Sequence, residues 1–416
     1  MKFLVNGGRK LVGKLRAQGA KNSILPILSA CVLCSGEVVL HNCPELLDVI
    51  SAVKILRHLG VEVKKDGETL TVLCDGISCC EVPQQLMREM RSSVVFLGAI
   101  LSAAGSAVIS MPGGCELGPR PIDMHLAALR QLGASIIDEH GMLRCSVQDK
   151  MRGTQIALMF PSVGATENVI LASVFAEGTT VITNAAREPE IVDLANFLNA
   201  CGAKVFGAGS SRIVIEGVKK LTGCEYTIMP DRIAAVTFLT AGAVTQGDIT
   251  LCGADEQHIT SSLSLFRQAG CEVYVNGDEI RLKCSRRPNS MHMVKTLPYP
   301  GFPTDAQAPI MTLAAVARGT TMFVETIFEN RYRHVCELVR MGADIKTEGK
   351  VAVVSGVKRL KSADVTCTDL RGGAALLLAA LSAEGESIIY SIEHVDRGYQ
   401  HIENDLLQLG ADVARK

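Results

Sequence analysis

Apolar and polar residues follow one pattern that recurs six times along the chain. Each copy predicts an apolar helix ending at a glycine, a strand, a second helix with one polar face, another glycine, and further strands. The glycine after the first helix recurs at Gly36, Gly105, Gly178, Gly247, Gly319 and Gly385, and the glycine after the second at Gly60, Gly133, Gly202, Gly270, Gly342 and Gly410. Both series indicate a repeat of about 70 residues.

The third repeat shows the predicted elements most clearly. Its helices are predicted over 165–175 and 189–200, and its strands over 180–183, 204–206 and 212–215. The first helix of each repeat is almost wholly apolar, which predicts burial on all sides, whereas the second has a polar face. The expected fold class is therefore α/β, an inside-out α/β barrel with buried helices inside and sheets outside.

Three repeats make a domain of ordinary size, so six predict two domains. The boundary is expected near Met229, where Gly223 and Pro230 flank a short extended stretch. One domain then covers 21–229, and the other covers 230–416 together with 1–20, whose first strand is expected to complete the last repeat. The cleft between two such lobes is the expected ligand site.

Composition excludes several classes of protein. The 42 Lys and Arg residues nearly balance 43 Asp and Glu residues, so no basic surface for nucleic acid or membranes is indicated. No apolar run approaches the ~18 residues of a membrane span, and the N-terminus lacks the apolar stretch of a signal peptide. Fifteen cysteines are then expected to be reduced thiols in a cytoplasmic protein.

Polar and charged residues stand at the start of the apolar helices, where burial disfavours them: Lys21, Asn22, Arg91, Ser162, Thr166, Asp231, Arg232, Asp305, Asp369 and Arg371. Helix N-termini attract anions, so these positions predict a site for phosphate or carboxylate groups. The alternative is that the aspartates are N-caps. Capping is as good an interpretation as an anion site for Asp231, and less favoured for Asp305 and Asp369.

The segment 111–121 holds three glycines and three prolines, which predicts a loop that could act as a lid. Its Cys115 has a cation, Arg120, five residues away, so it is either a reactive thiol or a structural one. Cys31 and Cys34 have metal-like spacing, but their apolar helix argues against a metal site. No nucleotide-cofactor fingerprint is present, and the histidines are expected to be structural.

Longer motifs carry a resemblance to a known family: GAKNS at 19–23, PGGCELGPRPIDMH at 112–125, SVGATEN at 162–168, NAAREPEIVD at 184–193, PDRI at 230–233, YPGFPTDAQ at 299–307, ENRYRHV at 329–335, TDLRGG at 368–373 and HVDRGY at 394–399. Over essentially its full length the chain resembles the UDP-N-acetylglucosamine enolpyruvyl transferases. That resemblance implies two domains of three repeats in an inside-out arrangement. It also implies transfer of an enolpyruvyl group from phosphoenolpyruvate to a sugar hydroxyl, the committed step of peptidoglycan synthesis.

The resemblance also implies residue roles. Lys21, Arg120 and Arg397 would hold phosphoenolpyruvate, with Arg91 and Arg371 nearby. Cys115 would act as an acid or add covalently to the substrate, and is the family's target of fosfomycin. Asp305 would accept the proton of the sugar hydroxyl, and Asp369 would assist. The residues implied for substrate binding further include Asn22, Pro121, Ile122, Asp123, Met124, His125, Leu126, Ser162, Val163, Gly164, Ile327 and Arg331.

Two rival interpretations stay open. An enolpyruvyl transferase acting on shikimate 3-phosphate would share the fold, although the PGGC, SVGAT and ENR motifs argue against it. The second rival is a catalytically silent paralogue. Against it stands the presence in one sequence of Lys21, Cys115, Asp305 and Arg397. The expected partners are two small-molecule substrates, with no metal or cofactor, no nucleic acid and no membrane, and the chain is expected to be a monomer.

Overall fold

A computed structural model describes residues 1–113 and 122–416. The α-helices are α1 (Lys21–Ala30), α2 (Leu47–His58), α3 (Gln84–Glu89), α4 (Phe96–Ala104), α5 (Asp123–Gln131), α6 (Val163–Ser173), α7 (Pro189–Ala200), α8 (Arg232–Val244), α9 (Glu256–Gln268), α10 (Gln307–Val316), α11 (Val335–Arg340), α12 (Leu370–Ser382) and α13 (Ile402–Gln408). Short 3-10 helices cover Cys31–Leu33, Arg91–Val95, Thr304–Ala306 and Ile392–Arg397.

The strands are β1 (Lys2–Asn6), β2 (Val12–Arg16), β3 (Cys34–His41), β4 (Glu62–Asp66), β5 (Thr69–Cys74), β6 (Ser106–Ser110), β7 (Ala134–Glu139), β8 (Met142–Val147), β9 (Gln155–Ala157), β10 (Thr179–Thr183), β11 (Lys204–Phe206), β12 (Arg212–Glu216), β13 (Leu221–Thr222), β14 (Glu225–Thr227), β15 (Asp248–Cys252), β16 (Glu272–Asn276), β17 (Glu279–Lys283), β18 (Met293–Lys295), β19 (Thr320–Val324), β20 (Asp344–Glu348), β21 (Val351–Ser355), β22 (Asp364–Thr366), β23 (Glu386–Tyr390) and β24 (Asp412–Arg415).

The described residues form two compact domains, each with its own apolar core. The first domain consists of residues 19–113 and 122–229. The second consists of residues 1–18 and 230–416. The chain therefore passes from one domain to the other after Gln18 and again after Met229.

Each repeat builds one small sheet, so the described residues contain six sheets. In the third repeat the order is β9–β10–β12–β11, with β10 parallel to β9 and antiparallel to β12. The fourth and fifth repeats follow the same order with β2–β15–β17–β16 and β18–β19–β21–β20. The α/β class predicted from the repeating pattern is confirmed.

The N-terminal residues belong to two repeats of the second domain. Strand β1 lies between β23 and β24 and is antiparallel to both, so it fills the position that β12 holds in the third repeat. Strand β2 runs parallel to β15 and forms the edge of the fourth repeat. The sheet of the sixth repeat thus combines the first strand of the chain with the last.

The apolar first helices are buried as their sequences predict. Every residue of α8 is buried, as are the eleven consecutive residues from Arg371 to Leu381 in α12. In the amphipathic second helix α9, by contrast, five of the thirteen residues are buried. The all-apolar helices therefore provide the centre of each domain, and the amphipathic helices cover it.

The glycine that follows each second helix has a positive φ in all six repeats, between 84° and 101°. A left-handed residue after a helix lets the chain turn back into a strand, and glycine adopts that conformation at the lowest cost. Among the described residues, no helix combines the length and the apolar composition needed to cross a lipid bilayer.

We expect Phe3→Ala to lower the free energy of unfolding by about 3–5 kcal/mol, because Phe3 is fully buried in the central strand β1. The matched control is Val12→Ala in β2, whose side chain is 59% exposed and should change stability by less than about 0.5 kcal/mol. Urea unfolding followed by circular dichroism measures both. Equal midpoints for Phe3→Ala and the wild type would contradict a structural role for β1.

Candidate functional site

The predicted site residues fall into one group in each domain, and each group is described separately. Cys115, Arg120 and Pro121, with the rest of the predicted lid from Gly114 onward, lie outside the described residues. Their roles stay predictions.

In the first domain, Lys21 is the first residue of α1 and forms a buried ion pair. Its Nζ lies 2.8 Å from Oδ2 of Asp48 in α2, and the two side chains are 10% and 4% exposed. A buried ammonium requires a partner of this kind, because desolvation of an unpaired charge is costly. Asp48 therefore fixes the position of the amine.

The start of α1 is also held by Asp193 in α7. Its Oδ2 accepts hydrogen bonds from the hydroxyl of Ser23 and, at 3.3 Å, from the backbone N–H of Met229, while its Oδ1 accepts from the hydroxyl of Tyr226 at 2.7 Å. Burial raises the pKa of Asp193, although these hydrogen bonds oppose the shift. Asn22, between Lys21 and Ser23, is half-buried.

Arg91 begins the 3-10 helix that leads into α4, and it is half-buried. Its Nη1 donates a hydrogen bond to the carbonyl oxygen of Pro112 at 3.2 Å. Pro112 belongs to the described beginning of the predicted lid. Arg91 thus ties the last described residues before Cys115 to the N-terminus of a buried helix.

His125 in α5 is buried and neutral. Its Nδ1 lies 2.7 Å from Nδ2 of Asn168, whose Oδ1 accepts the N–H of Gly98 at 2.7 Å. That second bond fixes the orientation of the amide, so Nδ1 of His125 accepts and its proton is on Nε2. Burial lowers the pKa of His125 to about 4, and the charge of Arg91 adds to the effect. The ring packs against Gly164, where an added Cβ would lie 3.0 Å from Cε1.

The other predicted residues of this domain lie at two helix starts. Ser162 is the N-cap of α6, where its hydroxyl accepts the N–H of Ala165 at 3.3 Å. Ile122 precedes α5 and belongs to the core, and Asp123 is exposed at the first position of that helix. The remaining members are half-buried: Met124, Leu126, Val163 and Gly164.

In the second domain, Asp305 lies between two buried guanidinium groups. Its Oδ1 accepts from Nη2 of Arg331 at 3.0 Å, and its Oδ2 accepts from Nη2 and Nε of Arg371 at 3.3 and 3.4 Å. The arginine side chains are 3% and 2% exposed, whereas Asp305 is 29% exposed. The carboxylate is therefore held by cations on its buried side and reaches solvent on the other.

Two of the three aspartates considered as caps do cap their helices. Oδ1 of Asp231 accepts the N–H groups of Ile233 and Ala234 at 2.8 and 2.9 Å. Oδ1 of Asp369 accepts those of Arg371 and Gly372 at 3.1 and 2.9 Å. The prediction that Asp369 is less suited than Asp231 to a capping role was wrong. Asp369 has an extended backbone conformation and directly precedes α12, which is the geometry of an N-cap. At Asp305 the structure shows ion pairs and no cap.

Asp369 also has a depressed pKa. Burial alone would raise the pKa of this carboxyl, but the charge of Arg331, the neighbouring His334 and the N–H of Gly372 outweigh burial. His334 is fully buried, and burial lowers its pKa to about 4. The centre of this group is therefore formed by two arginines, Arg331 and Arg371, and two aspartates, Asp305 and Asp369.

Glu325 organises the loop that contains the predicted Ile327. Its Oε1 accepts the N–H of Ile327 at 2.8 Å and that of Phe328 at 3.1 Å, and its Oε2 accepts the hydroxyl of Thr304 at 3.0 Å. Thr304 immediately precedes Asp305. This buried carboxylate thus links the loop to the residue that precedes Asp305.

Arg397 is the last residue of the 3-10 helix Ile392–Arg397 and is half-buried. Residues on both sides of it are held by side chains from elsewhere in the domain. Asp396 is paired with Arg415, and the carbonyl oxygen of Gly398 accepts from Nε2 of Gln18 at 3.0 Å.

Sequence reasoning missed the residues that hold the predicted ones: Asp48, Asp193, Asn168, Glu325 and Arg415. Asp48 lies in an otherwise apolar stretch, LLDVISAV, so a carboxylate at a buried position was a visible signal. For Asp193, Asn168, Glu325 and Arg415 the sequence gave no signal of these contacts, because the groups they bind are distant along the chain.

Glu167 in α6 is a further buried carboxyl. Burial raises its pKa to about 8, and the charges of Glu190 and Glu188 add to the effect. Among residues 1–113 and 122–416, no three His, Cys, Asp or Glu side chains form a group suited to hold a metal ion.

Comparison with known proteins identifies carboxyvinyltransferases as relatives of this chain. The sequence model of the family EPSP synthase (3-phosphoshikimate 1-carboxyvinyltransferase) matches residues 5–406. UDP-N-acetylglucosamine 1-carboxyvinyltransferase 2 of Caldanaerobacter subterraneus is 50% identical over 414 residues, covering 100% of this chain and 99% of the relative. UDP-N-acetylglucosamine 1-carboxyvinyltransferase 1 of Symbiobacterium thermophilum is 51% identical over 419 residues, covering 100% and 95%.

Solved structures agree on the fold. The enolpyruvyl transferase NikO from Streptomyces tendae matches with a TM-score of 0.90 at 25% identity, over 99% of this chain and 98% of that one. An EPSP synthase from Acinetobacter baumannii matches over the full length of both chains with a TM-score of 0.75 at 19% identity, a likeness of fold.

We expect Glu167→Gln to stabilise the protein increasingly as the pH rises from 5 to 8. The pKa of Glu167 is raised from an ordinary value of 4.5 to about 8 on folding, so the stability that its protonated form contributes is complete below 4.5 and is lost as the pH rises through 8. Glutamine is neutral throughout. Melting temperatures across this range measure the effect, with the exposed Glu177→Gln as control. A constant difference between Glu167→Gln and the wild type would contradict the raised pKa.

Proposed function

The chain belongs to the EPSP synthase family of carboxyvinyl transferases, and on that premise we propose that it transfers the enolpyruvyl group of phosphoenolpyruvate to the 3′-hydroxyl of UDP-N-acetylglucosamine, releasing phosphate. The observation that carries this proposal is the sequence identity of 50% and 51%, over the full length of this chain, with two relatives named for that activity. The resemblance read from the motifs is confirmed at the level of the family. The residue roles are part of the same proposal.

Phosphoenolpyruvate carries a phosphate and a carboxylate, and both groups suit cationic side chains. We assign Lys21, Arg120 and Arg397 to this substrate, with Arg91 and Arg371 close to it. The geometry of Lys21 supports the assignment, because the ion pair with Asp48 fixes the position of its amine. Planar guanidinium groups add bidentate contacts to phosphate or carboxylate oxygens.

The reaction is an addition followed by an elimination. A proton adds to C3 of phosphoenolpyruvate, and the sugar oxygen forms a bond to C2 as its own proton leaves. Loss of a proton from C3 then restores the double bond and breaks the C2–O bond to phosphate. We assign the acid to the thiol of Cys115, the role that the resemblance of the motifs implies for it.

Asp305 is assigned to the sugar hydroxyl. Two buried arginines fix the orientation of its carboxyl group, whose oxygens can accept a hydrogen bond from the sugar hydroxyl. We assign Asp305 to orient that hydroxyl and to accept its proton as the bond to C2 forms. The backbone at Ile327, fixed by Glu325, is assigned to the same substrate.

We expect purified protein to release phosphate from phosphoenolpyruvate when UDP-N-acetylglucosamine is added. 3-Phosphoshikimate, the acceptor in the name of the family model, should give no release above background. Phosphate assay and mass spectrometry of the product measure both reactions. Release with 3-phosphoshikimate alone would show the rival acceptor to be correct, and release with neither acceptor would support the silent paralogue.

We expect Lys21→Met to raise KM for phosphoenolpyruvate at least about tenfold, because a charge-assisted contact of about 1.5–3 kcal/mol is lost. The variant also leaves Asp48 buried without this partner, which should destabilise the fold by about 3–5 kcal/mol. The double variant Lys21→Met with Asp48→Asn removes that structural cost.

The double variant separates the two roles. Its melting temperature should return toward the wild-type value while KM for phosphoenolpyruvate stays high. If its KM recovered together with its stability, Lys21 would be a structural residue and its assignment to the substrate would be wrong.

A further inference from the structure

We propose that Arg415, the penultimate residue of the chain, is a positioning residue that fixes Arg397 for phosphoenolpyruvate. The inference rests on the proposed function, because Arg397 is assigned to that substrate there. Arg415 itself touches no substrate in this proposal. It acts through Asp396, the immediate neighbour of Arg397.

All three guanidinium nitrogens of Arg415 donate hydrogen bonds to two carboxylates. Its Nη1 and Nη2 donate to Oδ2 and Oδ1 of Asp396 at 2.9 and 2.7 Å. Its Nε and Nη2 donate to Oε1 and Oε2 of Glu403 at 2.7 and 2.9 Å. The three side chains are 25%, 17% and 10% exposed, so solvent screens these contacts less than it screens surface pairs. Bidentate contacts of this kind fix direction as well as distance.

The segment that carries Arg397 needs such external contacts. It is a single short 3-10 helix bounded by Ser391 and His401, two residues with positive φ of 57° and 43°. Short 3-10 helices have weak internal hydrogen bonds. Arg415 holds the residue before Arg397, and Gln18 holds the residue after it through the carbonyl oxygen of Gly398.

Anchoring the C-terminus does not account for this arrangement. Strand β24 is already paired with β1, and the backbones of Lys2 and Lys416 exchange two hydrogen bonds at 2.8 and 2.9 Å. Arg415 also lies over the ring of Phe3, 5.0 Å from its centroid. Backbone pairing thus holds the end of the chain, whereas the guanidinium group of Arg415 contacts Asp396 in the segment 391–401.

Glu403 and Asp396 provide an internal comparison. Both accept two hydrogen bonds from Arg415, but Glu403 lies in α13 while Asp396 adjoins Arg397. If Arg415 only stabilised the fold, loss of either carboxylate would have a similar effect. If Arg415 positions Arg397, loss of Asp396 should raise KM for phosphoenolpyruvate, whereas loss of Glu403 should not.

The sign of the Asp396→Asn effect separates positioning from simple electrostatics. If Asp396 acts only through its charge, removing that negative charge beside an anion site should tighten binding of an anionic substrate. If Asp396 holds Arg397 in position through its bidentate contact with Arg415, loss of that contact should weaken binding. Arg415→Met weakens binding under either view, so Asp396→Asn is the decisive variant.

The experiment measures steady-state kinetics and amide hydrogen exchange in four single variants of the full-length protein. We expect Arg415→Met and Asp396→Asn each to raise KM for phosphoenolpyruvate about tenfold, with KM for UDP-N-acetylglucosamine within about twofold of wild type. Glu403→Gln should stay within about twofold for both substrates. Arg281→Met is the matched control, since it removes a bidentate pair with Asp248 on the outer sheet of the same domain.

Hydrogen exchange gives a readout that does not depend on turnover. Amides 398–400 should exchange faster in Arg415→Met and Asp396→Asn than in wild type, and at the wild-type rate in Glu403→Gln. Unchanged exchange, or a lowered KM for phosphoenolpyruvate in Asp396→Asn, would overturn the positioning role. The proposed function fails separately, if wild-type protein shows no phosphate release or if Arg397→Lys leaves KM for phosphoenolpyruvate unchanged.

Discussion

A helix buried on all sides leaves its first N–H groups without partners, and this constraint shapes every repeat of the molecule. The flanks of α8 and α12 are closed by apolar packing, so only their ends remain for polar chemistry. Asp231 and Asp369 satisfy the open N–H groups there, whereas Asp305 lies within the 3-10 helix that leads into α10 and forms ion pairs instead. The ends of the buried helices are therefore where the fold accommodates polar side chains, and the proposed chemistry uses residues at these ends.

Lys21 and Asp305, two charged residues assigned to substrates, are each held by partners within their own domain. Lys21 pairs with Asp48, and Asp305 pairs with Arg331 and Arg371. Such pairs contribute little net stability, because desolvation offsets their attraction. Their effect is on orientation and on protonation state, as the depressed pKa of Asp369 illustrates. A substrate anion then meets cations that have already lost most of their water and much of their side-chain freedom.

The repeat, the buried helices and the α/β class followed from the sequence because apolar periodicity and glycine caps act over a few residues. The helix predicted over 189–200 was found there, and the one predicted over 165–175 begins two residues earlier, at Val163. Pairing across long separations was not predictable. Nothing local to Asp396 indicates Arg415, and the cap at Asp369 depended on backbone angles that one sequence does not show. Family resemblance named the reactive residues, but not the carboxylates that hold them.

The sheet of the sixth repeat has a consequence for biosynthesis. Strand β1 is synthesised before the other described strands, yet its two neighbours, β23 and β24, come last among those strands. The second domain therefore cannot close until β24 has been made, whereas the described strands and helices of the first domain all precede Pro230 and are made much earlier. Until then β1 is an apolar strand without its pairing partners, and such strands are prone to aggregate. The order in which the two domains can fold during synthesis is thus set by the pairing of β1 with β23 and β24.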